Sequence, residues 1–196
     1  MKLNTLFLAL IAIATLSFTL AEATTYQVNT SKSTVDWKGY KVTGSHNGKV
    51  NVKSGTLKMN DGRLQGASFE MDMTSIKVED LKGGGAKKLE GHLNSKDFFG
   101  IKTFPTAKLV ITKVIPYGKD GDYKLIGNLT IKKTTKEIKF KAKVSETAGT
   151  VTATAEITID RSDFDIRYGS GSFFDGLGDK TIYDEFDLSI SLVANK

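Results

Sequence analysis

The sequence predicts an all-β protein, an antiparallel barrel or sandwich of about eight or nine strands. Apolar and polar residues alternate along most of the chain, and short turn sequences separate the alternating runs. The continuous apolar strands and intervening helices of a parallel doubly wound sheet are not seen. Because the runs follow one another through short connections, an up-and-down meander is favoured. Alternation alone does not decide between a barrel and a sandwich.

The first 23 residues are predicted to be a secretory signal peptide rather than part of the fold. Lys2 supplies a positive start, an uncharged apolar run extends from Leu6 to Leu20, and Ala21-Glu22-Ala23 has the small-x-small pattern of a cleavage site. The run is short for a membrane span, and an uncleaved anchor is the alternative. We therefore expect a periplasmic or secreted protein whose residues 24–196 form a single domain.

The predicted strands of the first half each carry alternating side chains. They cover residues 34–41, 49–59 and 63–72. Asn-Gly is the strongest short hairpin signal, so His46-Asn47-Gly48 is expected to form the first turn. The phase of alternation changes at Gly55, which indicates a β-bulge or a bend. Asp61-Gly62 predicts the next turn, and the strand that follows places Phe69 and Met71 on one face.

Five further alternating runs complete the predicted sheet. They cover residues 107–111, 123–131, 138–144, 151–159 and 186–192. The turns between them are expected at Asp120-Gly121, at residues 132–135 and at residues 147–150. Small residues such as Ala142, Ala155 and Gly127 share faces with bulky ones. They either leave a cavity or pack as partners of the large side chains, and a barrel of about eight strands has room for one small ligand.

One long connection, residues 74–105, breaks the strand pattern. It contains the only helical candidate of any length, residues 86–93, which follows Gly83-Gly84-Gly85, a predicted flexible hinge. The next residues, 89–107, gather apolar side chains around His92. A long connection in a compact β domain is more often a lid or binding loop than filler. We expect this segment to lie across or beside the barrel interior.

A second irregular segment, residues 168–179, is rich in glycine and carries Phe173-Phe174. Surface loops normally avoid paired aromatic residues, which leaves two interpretations. The phenylalanines are either tucked into the mouth of the barrel, which we favour, or exposed for contact with a partner or ligand.

The composition excludes several functional classes. There is no cysteine, which excludes disulfides, thiol catalysis, thiolate metal sites and a lipid-modified amino terminus. The formal net charge of +6 comes mostly from lysine. Because arginine is the better residue for phosphate recognition and is scarce here, nucleic-acid binding is not predicted. Lys139, Lys141 and Lys143 alternate with apolar residues on a solvated outer face, which leaves transient contact with an anionic membrane surface as an option.

No catalytic or metal-binding constellation stands out. His46 and His92 are the only imidazoles, and neither lies in an H-x-H or H-x-x-x-H pair. No G-x-S-x-G elbow is present, and the triple glycine lacks the rest of a phosphate-binding loop. The carboxylates of Asp160, Asp163 and Asp165 are matched by nearby arginines, which favours ion pairing over glycoside chemistry. We expect no enzyme activity, no metal and no required cofactor.

A series of motifs resembles the YceI-like family of exported proteins, over residues 26 to 194. In order, the motifs are Trp37-Lys38-Gly39, Gly44-Ser45-His46-Asn47-Gly48, His92-Leu93-Asn94-Ser95-Lys96-Asp97-Phe98-Phe99, Phe104-Pro105-Thr106-Ala107, Gly127-Asn128-Leu129-Thr130-Ile131 and Arg161-Ser162-Asp163-Phe164. Lys133 and Asp165 stand where the family usually has glycine. Both are loop positions, so they bear on the shape of the mouth rather than on the fold.

The resemblance implies a lipocalin-like, extended antiparallel barrel of about eight strands with a short helix in the 74–105 connection. It also implies a long apolar cavity that holds a polyisoprenoid or quinone-type lipid, without catalysis. The protein would carry or sequester that lipid. The alternative is a barrel that serves as a binding module for a protein or carbohydrate partner in the cell envelope, and a homodimer is compatible with both.

Alternation and the resemblance together give a set of expected site residues. The expected contacts with the lipid tail are Phe69, Met71, Leu93, Phe98, Phe99, Leu109, Leu129, Phe140, Phe164, Phe174 and Leu188. The residues expected to contact the head group or to fix the loops are His92, Asn94, Asp97 and Arg161.

Overall fold

The structure is a computed structural model that describes residues 22–196 and shows a closed antiparallel barrel formed by eight of its nine strands, β2 to β9. The strands are β1 Thr24–Val28, β2 Thr34–Lys41, β3 Gly44–Asn60, β4 Arg63–Val78, β5 Thr106–Pro116, β6 Asp122–Ile131, β7 Thr134–Thr147, β8 Thr150–Asp160 and β9 Ile182–Asn195. One helix, α1, spans Gly83–Asn94, and 3-10 turns cover Arg161–Phe164 and Gly178–Lys180. Residues 1–21 of the expected signal peptide lie outside the described residues.

The barrel closes in the strand order β3-β2-β9-β8-β7-β6-β5-β4, and β4 pairs back with β3. This confirms the predicted lipocalin-like barrel. The β3 strand has 17 residues and pairs with β2 along its first part and with β1 along its last. At about 3.3 Å per residue it is roughly 55 Å long, which makes the barrel extended. The strand β1 was not predicted, because five residues are too few to show a clear alternation.

The hairpin prediction at Asn47-Gly48 is wrong, because both residues lie inside β3. The chain turns earlier, at Val42-Thr43. A side chain at position 48 would place its Cβ 1.8 Å from the carbonyl oxygen of Lys77 and 2.8 Å from Cζ2 of Trp37. Glycine is therefore needed here for the close approach of β4 and the indole, not for a turn. The other predicted turns, including Asp61-Gly62, are confirmed.

β3 contains the predicted irregularity, but before Gly55: the shift in β3–β4 register falls between Val52 and Ser54, and Gly55 pairs in regular register with Phe69. A Cβ at position 55 would lie 2.7 Å from Cδ1 of Phe69 and 2.8 Å from Cγ2 of Val28. The glycine therefore leaves room for Val28 of β1 and for the ring of Phe69.

The long connection is shorter than predicted, because β4 continues to Val78 and leaves residues 79–105 between strands. Helix α1 begins at Gly83, so the triple glycine forms its first turn and does not precede it as a hinge. The helix packs against β4, and the carboxylate of Glu90 accepts a hydrogen bond from the Val78 N–H at 3.1 Å.

The two ends of the barrel differ. The end that carries α1, the turn at residues 42–43 and residues 161–181 is called the helix end. The opposite end, with the turn at residues 61–62, is called the far end. Packed side chains fill the far end: Tyr26, Met59, Tyr123, Val151 and Ala194, each at most 3% exposed. These packed side chains are called the plug. Two of them are also hydrogen bonded: the Tyr26 hydroxyl donates to Glu146, and the Tyr123 hydroxyl accepts from the Leu64 N–H.

On the outer wall, Asp187 of β9 joins two neighbouring strands. Its carboxylate accepts a hydrogen bond from the Tyr40 hydroxyl of β2 at 2.6 Å and from that of Thr158 of β8 at 2.7 Å. The bond from Tyr40, followed by that from Thr158, lowers the pKa of Asp187 below its ordinary value of 3.8, against the opposing effect of burial. The folded state therefore favours the carboxylate more strongly than the unfolded state does.

We expect Tyr40→Phe to lower the free energy of unfolding at neutral pH, because a hydrogen bond to a carboxylate is lost. A carboxyl group whose folded pKa is lowered stabilises the fold above its unfolded pKa, and this contribution disappears as the pH falls through the folded value. The difference between wild type and variant should therefore shrink below pH 3.8. Urea titrations at neutral and acidic pH measure it, with Tyr117→Phe as control. An equal difference at both pH values would contradict the assignment.

Candidate functional site

The barrel encloses a cavity of about 390 Å³, lined by inward side chains of strands β2 to β9, by α1 and by the residues after it. This volume falls in the usual range for small-molecule sites. Ala142 and Ala155 face each other across the β7–β8 pair and both line the cavity. These small residues therefore leave space, whereas Gly127 is not part of the lining.

Most of the expected tail contacts lie in the cavity wall. They are Phe69, Met71, Leu93, Phe98, Phe99, Leu109, Leu129, Phe140 and Leu188. Alternation along the strands was sufficient to place most of these side chains, because successive residues of a strand point to opposite faces. That they contact a lipid stays a prediction.

Phe164 and Phe174 do not line the cavity. Phe164 follows the end of β8 in a 3-10 turn, where strand alternation no longer applies, and is 1% exposed in the packed core. Phe174 is 50% exposed, and its neighbour Phe173 is also exposed. Both phenylalanine N–H groups donate to the Ser170 carbonyl in a tight turn, and neither side chain lines the cavity. The expectation that they are tucked into the mouth is therefore wrong.

The two irregular segments of the chain meet at His92. Its ring lies in the cavity wall, with its centroid 5.2 Å from that of Phe98 and 4.3 Å from that of Tyr168. The Ser95 hydroxyl and N–H both bond to the His92 carbonyl and end the helix. Within residues 22–196 the buried His92 Nε2 has no hydrogen-bond partner. His92 thus joins the two segments through contacts of its ring, and its buried Nε2 is left without a partner in the described chain.

Arg161 is the most completely buried charge in the wall, at 3% exposed. Its guanidinium donates to the carbonyl oxygens of Ile166, Ile182 and Tyr183 at 2.7, 2.9 and 3.1 Å. It also lies 5.4 Å from the centroid of the Phe98 ring. These contacts join the 3-10 turn, the start of β9 and the α1–β5 connection, so Arg161 fixes the loops of the helix end.

Asp184 balances the charge of Arg161, with 3.1 Å between Oδ1 and Nη2. The contact is an ion pair without the alignment of a hydrogen bond. The other oxygen, Oδ2, accepts from the hydroxyls of Ser170 and Ser172 at 2.9 and 2.6 Å. Burial lowers the pKa of Arg161, while Asp184 and Asp160 act in the opposite direction.

Asp184 was not predicted as the partner of Arg161, because only carboxylates near Arg161 in the sequence were expected to pair with it. The neighbouring carboxylates pair elsewhere, since Asp165 binds Arg167 at 2.6 Å and Asp163 binds Lys136 at 3.3 Å. Asp184 lies beside Arg161 because β8 pairs with β9, which brings residues that are distant in sequence to the same end of the barrel. No local sequence motif indicates this neighbour.

Asn94 and Asp97 lie outside the cavity wall. The Asn94 carbonyl accepts the Ile101 N–H at 3.2 Å, and its side-chain oxygen is buried without a partner in the described chain. Asp97 is exposed. The geometry therefore supports a loop-fixing role for the Asn94 backbone and no contact of either side chain with the cavity.

Many residues outside the expected set also line the cavity, and two of them carry ring nitrogens. Trp37 faces inward from β2, and among the described residues its buried Nε1 has no acceptor. His46 lies at the mouth, where its Nδ1 is 2.7 Å from Oδ2 of Asp80. Burial raises the pKa of Asp80, but hydrogen bonds from His46 and the Asn47 N–H outweigh it and leave that pKa lowered.

No group of three or more histidine, aspartate or glutamate side chains is arranged to hold a metal ion in residues 22–196. In the same part of the chain, α1 is too short and too polar to cross a membrane, and no other helix qualifies.

Comparison with known proteins assigns the family. The YceI-like domain matches residues 26–194, and the chain belongs to the YceI-like family. A UPF0312 protein of Pseudomonas putida is 35% identical over 112 residues, which cover 55% of this chain and 54% of that protein. The chain thus spans about half the length of the curated relatives it matches.

Solved structures agree with the barrel. BcnA of Burkholderia cenocepacia is 25% identical with a TM-score of 0.68, covering 86% of this chain and 99% of its own. A polyisoprenoid binding domain from Saccharophagus degradans is 12% identical with a TM-score of 0.64, covering 87% of this chain and 97% of its own. The predicted family and fold are both confirmed.

We expect Arg161→Met to lower the free energy of unfolding by about 3 kcal/mol, because it leaves Asp184 without its buried counter-charge. Arg167→Met is the matched control. It removes an exposed pair with Asp165 and should cost less than about 1 kcal/mol. Urea unfolding of both variants measures the difference, and equal losses would show that Arg161 does not organise the helix end.

Proposed function

We propose that the barrel binds an apolar polyisoprenoid or quinone-type lipid in its cavity and carries or sequesters it without catalysis. The observation that carries this proposal is the cavity of about 390 Å³, enclosed by a wall that is nearly all hydrocarbon. Membership of the YceI-like family and the similarity to a polyisoprenoid binding domain support it. A platform for a protein or carbohydrate partner would not need an open interior.

The energetics of apolar burial are compatible with this ligand class. Transfer of hydrocarbon from water is worth up to about 0.8 kcal/mol per CH₂ group. Realised affinities of larger ligands are nearer 0.3 kcal/mol per heavy atom, so a five-carbon isoprene unit contributes about 1.5 kcal/mol. Roughly five or six units would then give micromolar binding. Such burial has no direction, so we expect loose selectivity for the head group.

The polar atoms of the wall suggest where a head group would lie. Trp37 Nε1 is a hydrogen-bond donor, and His92 Nε2 donates or accepts according to its tautomer. Both are buried in the cavity lining without a partner in the described chain. A carbonyl or hydroxyl oxygen of the ligand would satisfy them, whereas Arg161 is already occupied by backbone carbonyls.

We further propose that the mature protein, residues 24–196, acts as one domain in the periplasm or outside the cell after removal of residues 1–23. Its lipid would be cargo rather than a cofactor. Nucleic acid is not an expected partner, and a homodimer stays a prediction.

The decisive experiment is organic extraction of the purified protein followed by mass spectrometry. The expected result is a stoichiometric prenyl lipid, and delipidated protein should take up added prenyl alcohol or quinone. Protein that is free of lipid as purified and also ignores added prenyl lipids would refute the proposal.

We expect Ala155→Phe to reduce lipid retention at least about tenfold, because a ring would fill the space left by the paired alanines. Thr152→Phe, on the outer face of the same strand, is the matched control and should retain lipid as wild type does. Extraction of equal amounts of folded protein measures both. Undiminished lipid in Ala155→Phe would mean that this part of the cavity is not used.

A further inference from the structure

The exposed large apolar side chains of the described chain all lie at one end of the barrel. They are Val42, Tyr168, Phe173, Phe174 and Tyr183, which are between 39% and 51% exposed. These residues are called the apolar rim. Val42 is in the turn after β2, Tyr183 is at the start of β9, and the others belong to the segment between β8 and β9. All of these positions belong to the helix end.

Backbone hydrogen bonds place these segments side by side. The Val42 N–H donates to the Thr181 carbonyl at 3.2 Å, and the Ile182 N–H donates to the Gly169 carbonyl at 2.8 Å. Tyr183 also lines the cavity, whereas Phe173 and Phe174 do not. The apolar rim is therefore one surface that borders the entrance to the cavity.

Charge at the helix end favours an anionic partner. The α1 region carries exposed lysines that have no ion-pair partner among residues 22–196: Lys82, Lys87, Lys88, Lys96 and Lys102. Its carboxylates Glu79 and Glu90 are paired with lysines of the barrel wall, and Asp80 is paired with His46, which leaves Asp97. In the rim segment Arg167 is paired with Asp165, which leaves Asp175 and Asp179 against Lys180, so the positive charge of the helix end comes from the α1 lysines.

We propose that the apolar rim and the α1 lysines dock the helix end onto an anionic lipid bilayer, with the cavity entrance facing the membrane. Tyrosine and phenylalanine suit the bilayer interface, and lysines beside them are attracted to anionic head groups. The inference rests on the proposed lipid function. A lipid tail then passes between bilayer and cavity without exposing its length to water.

Vesicle flotation tests the docking surface. The probes are vesicles of phosphatidylcholine alone and of phosphatidylcholine mixed with phosphatidylglycerol. Wild-type protein should float with the anionic vesicles, less so at high salt. The double variant Phe173→Ser/Phe174→Ser should bind these vesicles about tenfold more weakly. The control Tyr117→Ser, which changes an aromatic residue at the far end, should bind as wild type does.

A charge series separates the helix end from the barrel wall. Lys87→Glu/Lys88→Glu should weaken binding to anionic vesicles, and Lys139→Glu/Lys141→Glu, on the outer wall of β7, should have little effect. The reverse order would overturn the proposal, because the barrel would then lie on its side. A dimer that dissociates in Phe173→Ser/Phe174→Ser, with vesicle binding unchanged, would also overturn it, because the rim would then cover a second copy.

Ligand binding in detergent keeps this test independent of the proposed function. The probe is a prenyl alcohol in detergent micelles. Phe173→Ser/Phe174→Ser should bind it normally, because neither side chain lines the cavity, and Ala155→Phe should not. Wild-type protein that binds the prenyl alcohol but floats with no vesicles would overturn docking and leave the lipid function intact. Rim-dependent flotation without prenyl binding would support docking and refute the lipid function.

Discussion

The buried guanidinium of Arg161 is the constraint on which the helix end depends. Its N–H groups donate to the carbonyl oxygens of Ile166, after the 3-10 turn, and of Ile182 and Tyr183 at the start of β9. Asp184 supplies the opposite charge. A buried ion pair is weak evidence for stability as such, because desolvation offsets much of its Coulomb energy. Its effect here is geometric. It fixes the relative positions of the loops that form this end of the cavity wall.

The strands are held by regular backbone pairing and not by a buried charge. They were the part most readily predicted from the sequence. Period-two alternation placed Phe140 and Leu188 inward, because the face of a strand residue follows from its position alone. The same rule failed at Phe164, one 3-10 turn beyond the end of β8. Asn47-Gly48 misled for a related reason. The Asn-Gly motif indicates a preference for positive φ in a turn. In this fold glycine is needed at position 48 because the backbone of Lys77 lies too close for a side chain.

The site was predicted only where it repeats the strand pattern or a family motif. His92 and Arg161 were found through such motifs, but Asp184 was not, because its position beside Arg161 is created by barrel closure and not by sequence distance. The exposure of Phe173 and Phe174 was also not foreseen. Composition shows that a loop holds two aromatic rings, but only the turn at Ser170 decides which way they point.

The packed side chains of the far end close that end of the barrel, which leaves the helix end for entry into the cavity. Tyr26 and Tyr123 fill the opposite end and are themselves hydrogen bonded, so the interior is a blind pocket and not a channel. An elongated molecule must then enter end first and leave in the reverse direction. For the proposed lipid, one molecule would have to leave before another could enter, and the depth of the pocket would limit the enclosed length, with any excess remaining outside at the helix end.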